Sequence, residues 1–267
     1  MQQRVLVVHG PPSGDFATLP LVARVLESPP FDFKTRVVTS ADLVVDDAFT
    51  IHWASSRHKK TEYESTHPHQ HLNHFQKSSI LTRKDRLVRL LRRYSQVHGR
   101  IYSFVPTSYI LPSEYSKFVR EYSEEELERD EDAPRSMWIC KPSDLSQGRK
   151  IFLINNIMDL VHDRQYVVQR YVDRPLTVGG YKVDLRVYVL VTSFNPLVVY
   201  VHRNGLARFA TAKYDRDNMG NAFSHLTNNS INKHSDTYAT KKDVIGSGCK
   251  WDFDQMKGCF RHYECTS

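Results

Sequence analysis

The sequence predicts a mixed α/β (α+β) fold, and three observations support this prediction. "RVLVV" (4–8) is a short apolar run followed by Gly and Pro, which is typical of a buried strand. Apolar residues recur at helical spacing between 82 and 122. From 138 onward, short alternating segments are separated by polar turns, which favours antiparallel strands.

Composition limits the classes of protein that the chain can represent. The 267 residues carry a formal net charge of +7, and 40% of them are hydrophobic. This balance indicates a globular protein, and its positive charge favours acidic partners in general, which include nucleic acid, anionic lipid, nucleotides and acidic peptides. We expect no membrane span, because no apolar run reaches about 20 residues. Nucleic acid is also not expected, because no base-stacking or groove-reading motif accompanies the charge. Four cysteines are too few for a disulfide scaffold, which favours the cytoplasm.

Two polar segments in the first part of the chain are predicted to be loops. "HGPPSGD" (9–15) lacks the Gly-Lys-Ser/Thr of a phosphate-binding loop. The segment 57–75 shows no periodicity, and Pro68 interrupts it. It contains four histidines that leave metal binding open as the less favoured alternative: His67, His69, His71 and His74.

A basic helix is predicted over 82–98, with Thr82 as N-cap and Gly99 as the stop signal. Its apolar face consists of Leu87, Leu90, Leu91 and Tyr94. The remaining surface is rich in Arg and Lys, which indicates either a solvated face or a landing surface for an acidic partner. A second helix is predicted after Ser113, with Tyr115, Phe118, Val119 and Tyr122 inward. The acidic stretch 123–136 is predicted to be a charged loop.

Several strands are expected after residue 138. "WICKP" and "KIFLI" predict a hairpin-like pair, and "QYVVQRYV" (165–172) predicts a further strand. "YKVDLRVYVLVT" (181–192) predicts a strand with two unlike faces, followed by turns at 193–196 and 203–206. One face is expected to close the core: Val183, Leu185, Val187, Val189 and Val191.

The opposite face of that strand begins with Lys182, Asp184 and Arg186. Three buried charges without partners would cost several kcal/mol, so they need water, a salt-bridge cluster or a ligand. Two other segments favour a ligand with phosphates. Lys141 ends a strand and is followed by a donor-rich loop over 143–149, and "HLTNNSINK" (225–233) concentrates hydroxyls and amides. Lys and Arg contacts to phosphate are each worth up to about 4 kcal/mol before desolvation.

Six segments occur in the order and spacing of one known family: "WICKPSDLSQGRKI", "YVVQRYV", "YKVDLRVYVLVTSFNPLVVY", "GLARFAT", "HLTNNSINK" and "GSGCKW". With "LNHF", "LTRKD" and "FVPTSYILPSEYSKF" upstream, the chain resembles the tubulin tyrosine ligase-like family, in the polyglutamylase branch, over about residues 71 to 251. The resemblance implies an ATP-grasp-like fold with an N-terminal α/β domain (1–78), a central domain with the first nucleotide-binding strands (79–172) and a second ATP-grasp subdomain (173–267). The C-terminal part is expected to be incomplete.

The resemblance also implies an activity, namely ATP-dependent ligation of glutamate to glutamate side chains of tubulin tails through an acylphosphate, with Mg²⁺ between the phosphates. The reaction centre would contain Arg186, Lys182 and Asp184. The ATP-binding residues would be Lys141, Gln147, Gly148, Gln169, Arg170, Tyr171, Val172, Lys182, Asp184, Thr227 and Asn228. The residues that bind the incoming free glutamate would be Arg208, Asn229, Ser230 and Lys250.

Two departures from the family pattern are visible. Lys150 stands where the family commonly has Gly. The family's magnesium ligands, an Asp and a Glu-x-Asn, come after Gly-Cys-Lys-Trp, and residues 252–267 do not resemble that region. Asp252 and Asp254 match those ligands only in residue type, so no metal ligand is assigned in this chain. Zinc binding by Cys259, His262, Cys265 and Cys249 is a minor alternative.

The alternative function is therefore an inactive truncated pseudoenzyme that binds microtubules or acidic tubulin tails without catalysis. The resemblance implies a cytoplasmic, cytoskeletal location, with the cilium or basal body as a narrower expectation.

Overall fold

The computed structural model describes residues 4–9, 19–38, 49–102, 104–160, 164–238, 245 and 250–264. The chain divides into two compact units, Met1–Thr82 and Arg83–Ser267. The predicted three-domain division stays a prediction. The mixed α/β architecture is confirmed by three four-stranded sheets with helices between their strands, and it is consistent with an ATP-grasp-like fold. In the part of the chain described, no helix is long and apolar enough to span a membrane.

The first unit is built on a parallel sheet with strand order β2-β1-β3-β4. Its strands are β1 (Val5–His9), β2 (Lys34–Val38), β3 (Ile51–Ala54) and β4 (His71–Leu72), and its helices are α1 (Leu19–Glu27), α2 (Lys60–Ser65) and α3 (Ser79–Thr82). Leu6 and Val8 of β1 are buried, as expected for an inner parallel strand. The first strand is thus confirmed. The prediction of a loop over 57–75 is wrong in part, because α2 and β4 lie within it.

The second unit begins with an antiparallel sheet of order β5-β8-β6-β7. Its strands are β5 (Ser108–Leu111), β6 (Trp138–Pro142), β7 (Phe152–Ile154) and β8 (Tyr166–Arg170), and its helices are α4 (Lys84–His98) and α5 (Tyr115–Glu128). Short 3₁₀ helices span Gly99–Tyr102 and Ile157–Asp159. Phe118 and Tyr122 of α5 pack with Trp138 and Cys140 in the core. The β6–β7 hairpin is confirmed.

The rest of the second unit is a sheet of order β12-β11-β10-β9 with antiparallel pairing. Its strands are β9 (Thr177–Val178), β10 (Tyr181–Phe194), β11 (Leu197–Lys213) and β12 (Lys250–Asp252), and its helices are α6 (Ala222–His225), α7 (Asn229–Asn232) and α8 (Phe253–Glu264). The predicted turn at 203–206 is wrong, because β11 runs through it. Gly205 lies so close to the Arg186 carbonyl that a Cβ would be 2.4 Å from this oxygen.

The structure corrects the predicted start of the basic helix. The helix begins at Lys84 with Arg83 as N-cap, and Thr82 ends the separate short helix α3. Gly99 stops the helix with a φ of 66°, as predicted. Tyr94 is 41% exposed rather than inward, and Asp85 and Val88 are the buried residues of the helix.

The acidic stretch is also more ordered than predicted. Helix α5 continues to Glu128, so the first six residues of the predicted loop are helical. Glu125 forms an ion pair with Arg170, and Glu126 forms ion pairs with Arg129 and Arg135. Local sequence cannot reveal the pair with Arg170, because Arg170 is distant in the chain, whereas both partners of Glu126 lie within the stretch itself. Partner charges therefore neutralise a segment that looks self-repelling by itself.

The expected core face of β10 is buried only at its beginning. Val183 is 6% exposed, whereas Leu185, Val187 and Val189 are 54%, 48% and 56% exposed. The prediction that this whole face closes the core is therefore wrong. Val183 packs with Val178, Phe209 and Met256, which come from β9, β11 and α8.

Candidate functional site

Lys141 near the end of β6 lies on the same side of its sheet as two polar residues. Its Nζ donates to Gln169 Oε1 at 2.6 Å, and Gln169 Nε2 donates to Ser108 Oγ at 2.8 Å. Burial lowers the pKa of Lys141, and the nearby positive charge of Lys84 lowers it further. The hydrogen bond to Gln169 thus fixes the position of the lysine. A nearby anion would stabilise the charged ammonium form and raise its pKa again.

Lys182 at the start of β10 is a second partly buried lysine. Its Nζ donates to the Tyr171 hydroxyl at 2.9 Å and lies 4.5 Å from the centroid of that ring. Burial lowers the pKa of Lys182 to about 8, Asp184 opposes this shift, and Lys141 adds to it. The two lysines are therefore close enough to repel each other, and they suit a polyanion such as a triphosphate.

A chain of hydrogen bonds fixes the Tyr171 hydroxyl. His225 Nε2 lies 3.0 Å from the carbonyl oxygen of Asn218, so Nε2 is the donor and Nδ1 is left as acceptor. The Tyr171 hydroxyl oxygen lies 3.0 Å from that Nδ1, and the hydroxyl donates to it. The same oxygen accepts a hydrogen bond from Lys182 Nζ. Burial raises the pKa of Tyr171 and lowers that of His225, so both groups stay neutral. This series of hydrogen bonds orients the Lys182 ammonium group.

A row of charged side chains crosses three strands on one face of the sheet with strand order β12-β11-β10-β9. Asp184 of β10 is opposite Arg208 of β11, which in turn is opposite Lys250 of β12. Directly opposite residues in antiparallel strands share a face. Arg208 Nε donates to Asp184 Oδ1 at 2.7 Å, and Thr227 Oγ1 donates to Asp184 Oδ2 at 2.7 Å. Arg186, two residues after Asp184, is exposed on the same face.

The loop after β6 packs against α7. Gly148 has a φ of 79°, and a Cβ there would lie 2.5 Å from the Ile231 side chain and 3.1 Å from that of Asn228. Ser230 donates to the Gln147 carbonyl. Only glycine fits this close approach, so the structure brings the predicted loop residues together with the predicted "TNNS" segment.

Two further polar groups bear on this loop. The buried Ser143 hydroxyl has no hydrogen-bond partner among the residues that the structure describes. An unpaired buried donor two residues after Lys141 is typical of a site that a polar ligand completes. Asn229, in the helix that packs on this loop, accepts from the Tyr238 hydroxyl at 3.3 Å.

The Arg170 side chain is held outside the group of Lys141 and Lys182. The Arg170 side chain forms an ion pair with Glu125, and its guanidinium carbon lies 4.7 Å from the Trp138 ring centroid. The backbone N–H of Arg170 donates to Thr107 and that of Tyr171 to Met137. Val172 is 56% exposed. A role of Arg170 and Val172 in nucleotide binding would therefore use their backbone groups, and it stays a prediction.

Two positioning residues were missed by sequence reasoning. Lys84 was assigned to a basic surface, but its Nζ donates to the Pro142 carbonyl at 2.9 Å and also to the Leu145 carbonyl. Asn232 is buried and accepts from the Thr211 amide at 2.9 Å and from the Thr211 hydroxyl at 2.7 Å. The only signals were a lysine at a helix start and an asparagine in a polar run, and neither specifies a long-range contact.

The group around Lys141 and Lys182 fits the phosphates of a nucleotide, but this group does not supply a magnesium site. Within the described ranges, the group of three His, Cys, Asp or Glu that could hold a metal ion consists of residues of the first unit, and it includes no residue of the second. Asp252 Oδ1 accepts from the Gln255 amide at 2.8 Å, and Asp254 pairs with Lys257. Cys249 and Cys265 of the proposed zinc set fall outside the described residues.

Comparison with known proteins shows the family of the chain. A model of the tubulin-tyrosine ligase family matches residues 61–266. A human protein named probable tubulin polyglutamylase TTLL2 is 39% identical over 97% of this chain and 44% of its own length. Human tubulin polyglutamylase TTLL5 is 39% identical over 78% of this chain and 16% of its own length. A probable alpha-tubulin polyglutamylase of Tetrahymena thermophila is 34% identical over 85% of this chain and 60% of its own length. This chain thus spans less than two thirds of each of these relatives, and it belongs to the tubulin-tyrosine ligase family.

Proposed function

We propose that this chain carries the nucleotide and amino-acid sites of an ATP-dependent tubulin–glutamate ligase. The observation that carries the proposal is the convergence of Lys141, Lys182 and the Asp184–Arg208–Lys250 row in one unit. Sequence similarity supports the substrate, because the three relatives described above bear the names of tubulin polyglutamylases.

The proposed reaction has two steps. The acceptor glutamate of tubulin uses a carboxylate oxygen to attack the terminal phosphorus of ATP, which breaks the bond to the bridging oxygen and releases ADP. The amine of free glutamate then attacks the carbonyl carbon of the acylphosphate, loses a proton and displaces phosphate. Catalysis by this chain is positioning and charge neutralisation.

The roles of the lysines follow from their surroundings. Lys141 and Lys182 are partly desolvated, so their attraction to phosphate oxygens is stronger than that of surface lysines. We assign the loop residues Gln147 and Gly148, together with Asn228, to the cover over the phosphates. Arg186 is assigned to the reaction centre, because it is exposed on the face that carries Lys182 and Asp184.

Recognition of the incoming glutamate is assigned to Arg208, with Lys250 beside it. The ion pair with Asp184 fixes the plane of the guanidinium group, and such a fixed plane favours paired hydrogen bonds to a carboxylate. Asn229 and Ser230 are assigned to the same amino acid. Mg²⁺ would neutralise phosphate charge, and its ligands are not assigned to residues of this chain.

We propose the acidic tails of tubulin as the macromolecular partner, and a cytoskeletal location that includes cilia or basal bodies. The net charge of +7 and the arginines of α4 favour such a partner. Arg86, Arg89 and Arg93 are exposed on that helix, and an acidic peptide would interact with them in a salt-dependent way.

The test is incorporation of isotopically labelled glutamate into microtubules by the 267-residue chain with ATP and Mg²⁺. Arg208→Ala is expected to abolish incorporation. Arg203→Ala is the matched control, because Arg203 is an exposed arginine on the same strand, and it should leave the rate unchanged.

The outcomes separate the ligase from its alternative. Incorporation that depends on Arg208 supports the proposal. A folded chain that pellets with microtubules but incorporates no glutamate would establish binding without catalysis. Incorporation of tyrosine or glycine in place of glutamate would overturn the assignment of the amino acid.

A further inference from the structure

Three potential metal ligands converge in the first unit, and none of them belongs to the residues of the proposed ligase site. His52 lies on β3, His58 precedes α2, and Glu62 lies in the first turn of α2. One ligand atom from each residue lies within 4.8 Å of the other two. Sequence analysis placed its possible metal ligands elsewhere, at His67, His69, His71 and His74.

The three groups are shielded from solvent. His52 is 1% exposed and His58 8% exposed, and the Glu62 side chain is 11% exposed. The two imidazole rings are not stacked, because their planes meet at 66° with centroids 4.7 Å apart. Inclined rings allow lone pairs from both to point at one atom. A buried carboxylate between two imidazoles is also a common arrangement of zinc ligands.

The orientation of His58 follows from its outer partner. Asn73 Oδ1 accepts from the Ala54 amide at 3.0 Å, and Asn73 Nδ2 donates to the Ala54 carbonyl at 2.8 Å, which fixes the amide orientation. His58 Nε2 lies 3.0 Å from the same Oδ1 and is therefore the donor. In neutral His58 this leaves the Nδ1 lone pair directed toward Glu62. Such an outer hydrogen bond is what orients most metal-binding histidines.

Glu62 is oriented in the same way. Its Oε2 accepts from the backbone N–H of Lys59, while its Oε1 lies 3.9 Å from Nδ1 of His52 and 3.9 Å from Nδ1 of His58. Neighbouring ligand atoms around tetrahedral zinc are about 3.3 Å apart, given bond lengths of about 2.0 Å. Small side-chain movements would therefore close the group around an ion.

Space for a further ligand is present next to the group. A cavity of about 50 Å³ is lined by residues that include His52, Glu62 and Gln70. This volume admits a water molecule, and zinc sites with three protein ligands use water as the fourth.

We propose that His52, His58 and Glu62 bind a divalent transition-metal ion of the zinc type. Two imidazoles argue against Mg²⁺ and Ca²⁺, which prefer oxygen ligands only. The ion would join β3 to α2, so it would stabilise the first unit without taking part in ligation.

The experiment uses the 267-residue chain without a polyhistidine tag, stripped of metal by a chelator. Zinc titration by calorimetry is expected to show one equivalent bound. Cobalt substitution is expected to give the visible absorption of a tetrahedral ion. Glu62→Gln should weaken zinc binding at least about tenfold while it keeps an oxygen for the Lys59 amide.

His69→Gln is the matched control, because His69 is an exposed histidine of the same segment. The variant protein should bind zinc as tightly as the unsubstituted chain. Equal affinity of Glu62→Gln and the unsubstituted chain would overturn the proposal, as would a loss caused by His69→Gln alone. X-ray absorption of the zinc-loaded unsubstituted chain covers the case in which Glu62→Gln does not fold. Nitrogen and oxygen at about 2.0 Å support the site, and sulfur at about 2.3 Å would instead indicate cysteine ligands.

Discussion

The two ends of the β10–β11 hairpin have similar sequence patterns and opposite surroundings. At the near end (181–186 and 206–213), Val183, Ala207 and Phe209 are buried with residues from β9 and α8. At the far end (187–205), Leu190 and Val201 are 61% and 62% exposed. Both ends alternate in the manner of strands. The difference shows that the elements packed on a strand decide its burial, and that alternation alone does not.

The largest expected effect comes from removing an aromatic ring at the near end. Phe209→Ala should lower the free energy of unfolding by about 3–5 kcal/mol, because Phe209 is 2% exposed and packs edge-on against Trp251. Phe194→Ala removes the same ring at the far end, where Phe194 is 47% exposed, and should lower it by less than about 1 kcal/mol. Urea denaturation measures both. Equal losses would contradict the comparison.

A methyl group at the boundary between the ends should have the next largest effect. A Cβ at Gly205 would lie 2.4 Å from the Arg186 carbonyl oxygen and 2.4 Å from the Phe253 ring. We expect Gly205→Ala to destabilise the protein by about 1–3 kcal/mol. Gly258→Ala in α8 is the matched control, because no atom of the residues that the structure describes comes within 4 Å of the added carbon, apart from the helix's own backbone. It should stabilise by about 0.5–1 kcal/mol in the same thermal or urea assay.

A smaller, pH-dependent effect is expected from Lys182 at the near end. Its pKa of about 8 in the folded protein lies below the ordinary value of 10.5, because its ammonium group is buried. Between these two values the unfolded chain binds more protons, so stability should rise with pH over this window. Lys182→Met should lose that rise, whereas Lys117→Met, at an exposed lysine, should keep it. Identical pH profiles for all three proteins in urea denaturation would contradict this prediction.

The smallest effect is expected at the far end. Leu190→Thr should change the free energy of unfolding by no more than about 0.5 kcal/mol, because Leu190 is already 61% exposed. Urea denaturation at several protein concentrations measures it. A loss that grows with protein concentration would show that the far end is buried by self-association in solution.

Most strands of the second unit could be predicted from the sequence. The β6–β7 hairpin and the buried residues Phe118 and Tyr122 follow from spacing alone. Helix ends were less predictable, because Thr82 has the chemistry of an N-cap but ends a short helix of its own. The acidic end of α5 required knowledge of Arg170, which is far away in the sequence.

The candidate site shows the same limit. Lys141 and Lys182 could be singled out because charges at the edges of apolar strands need partners. The hydrogen bonds from Tyr171 to His225, and the approach of Gly148 to Ile231, join residues that are distant in sequence. His58 and Glu62 are four residues apart, but His52 lies on β3 outside any such spacing, so only the fold brings all three together. A pattern in one segment cannot report contacts of this kind.

The hydrogen bonds that end at Lys182 give the molecule an internal spectroscopic probe. The donor of each hydrogen bond between the Asn218 carbonyl and the Lys182 ammonium group is fixed, because the carbonyl only accepts and the ammonium only donates. One proton is therefore bonded to His225 Nε2 and one to the Tyr171 oxygen. The protons on His225 Nε2 and on the Tyr171 oxygen are buried, so we expect them to exchange slowly and to give separate downfield resonances. A polyphosphate bound to Lys182, as in the proposed ligase site, would shift both resonances, so the two lines test that proposal without any added label.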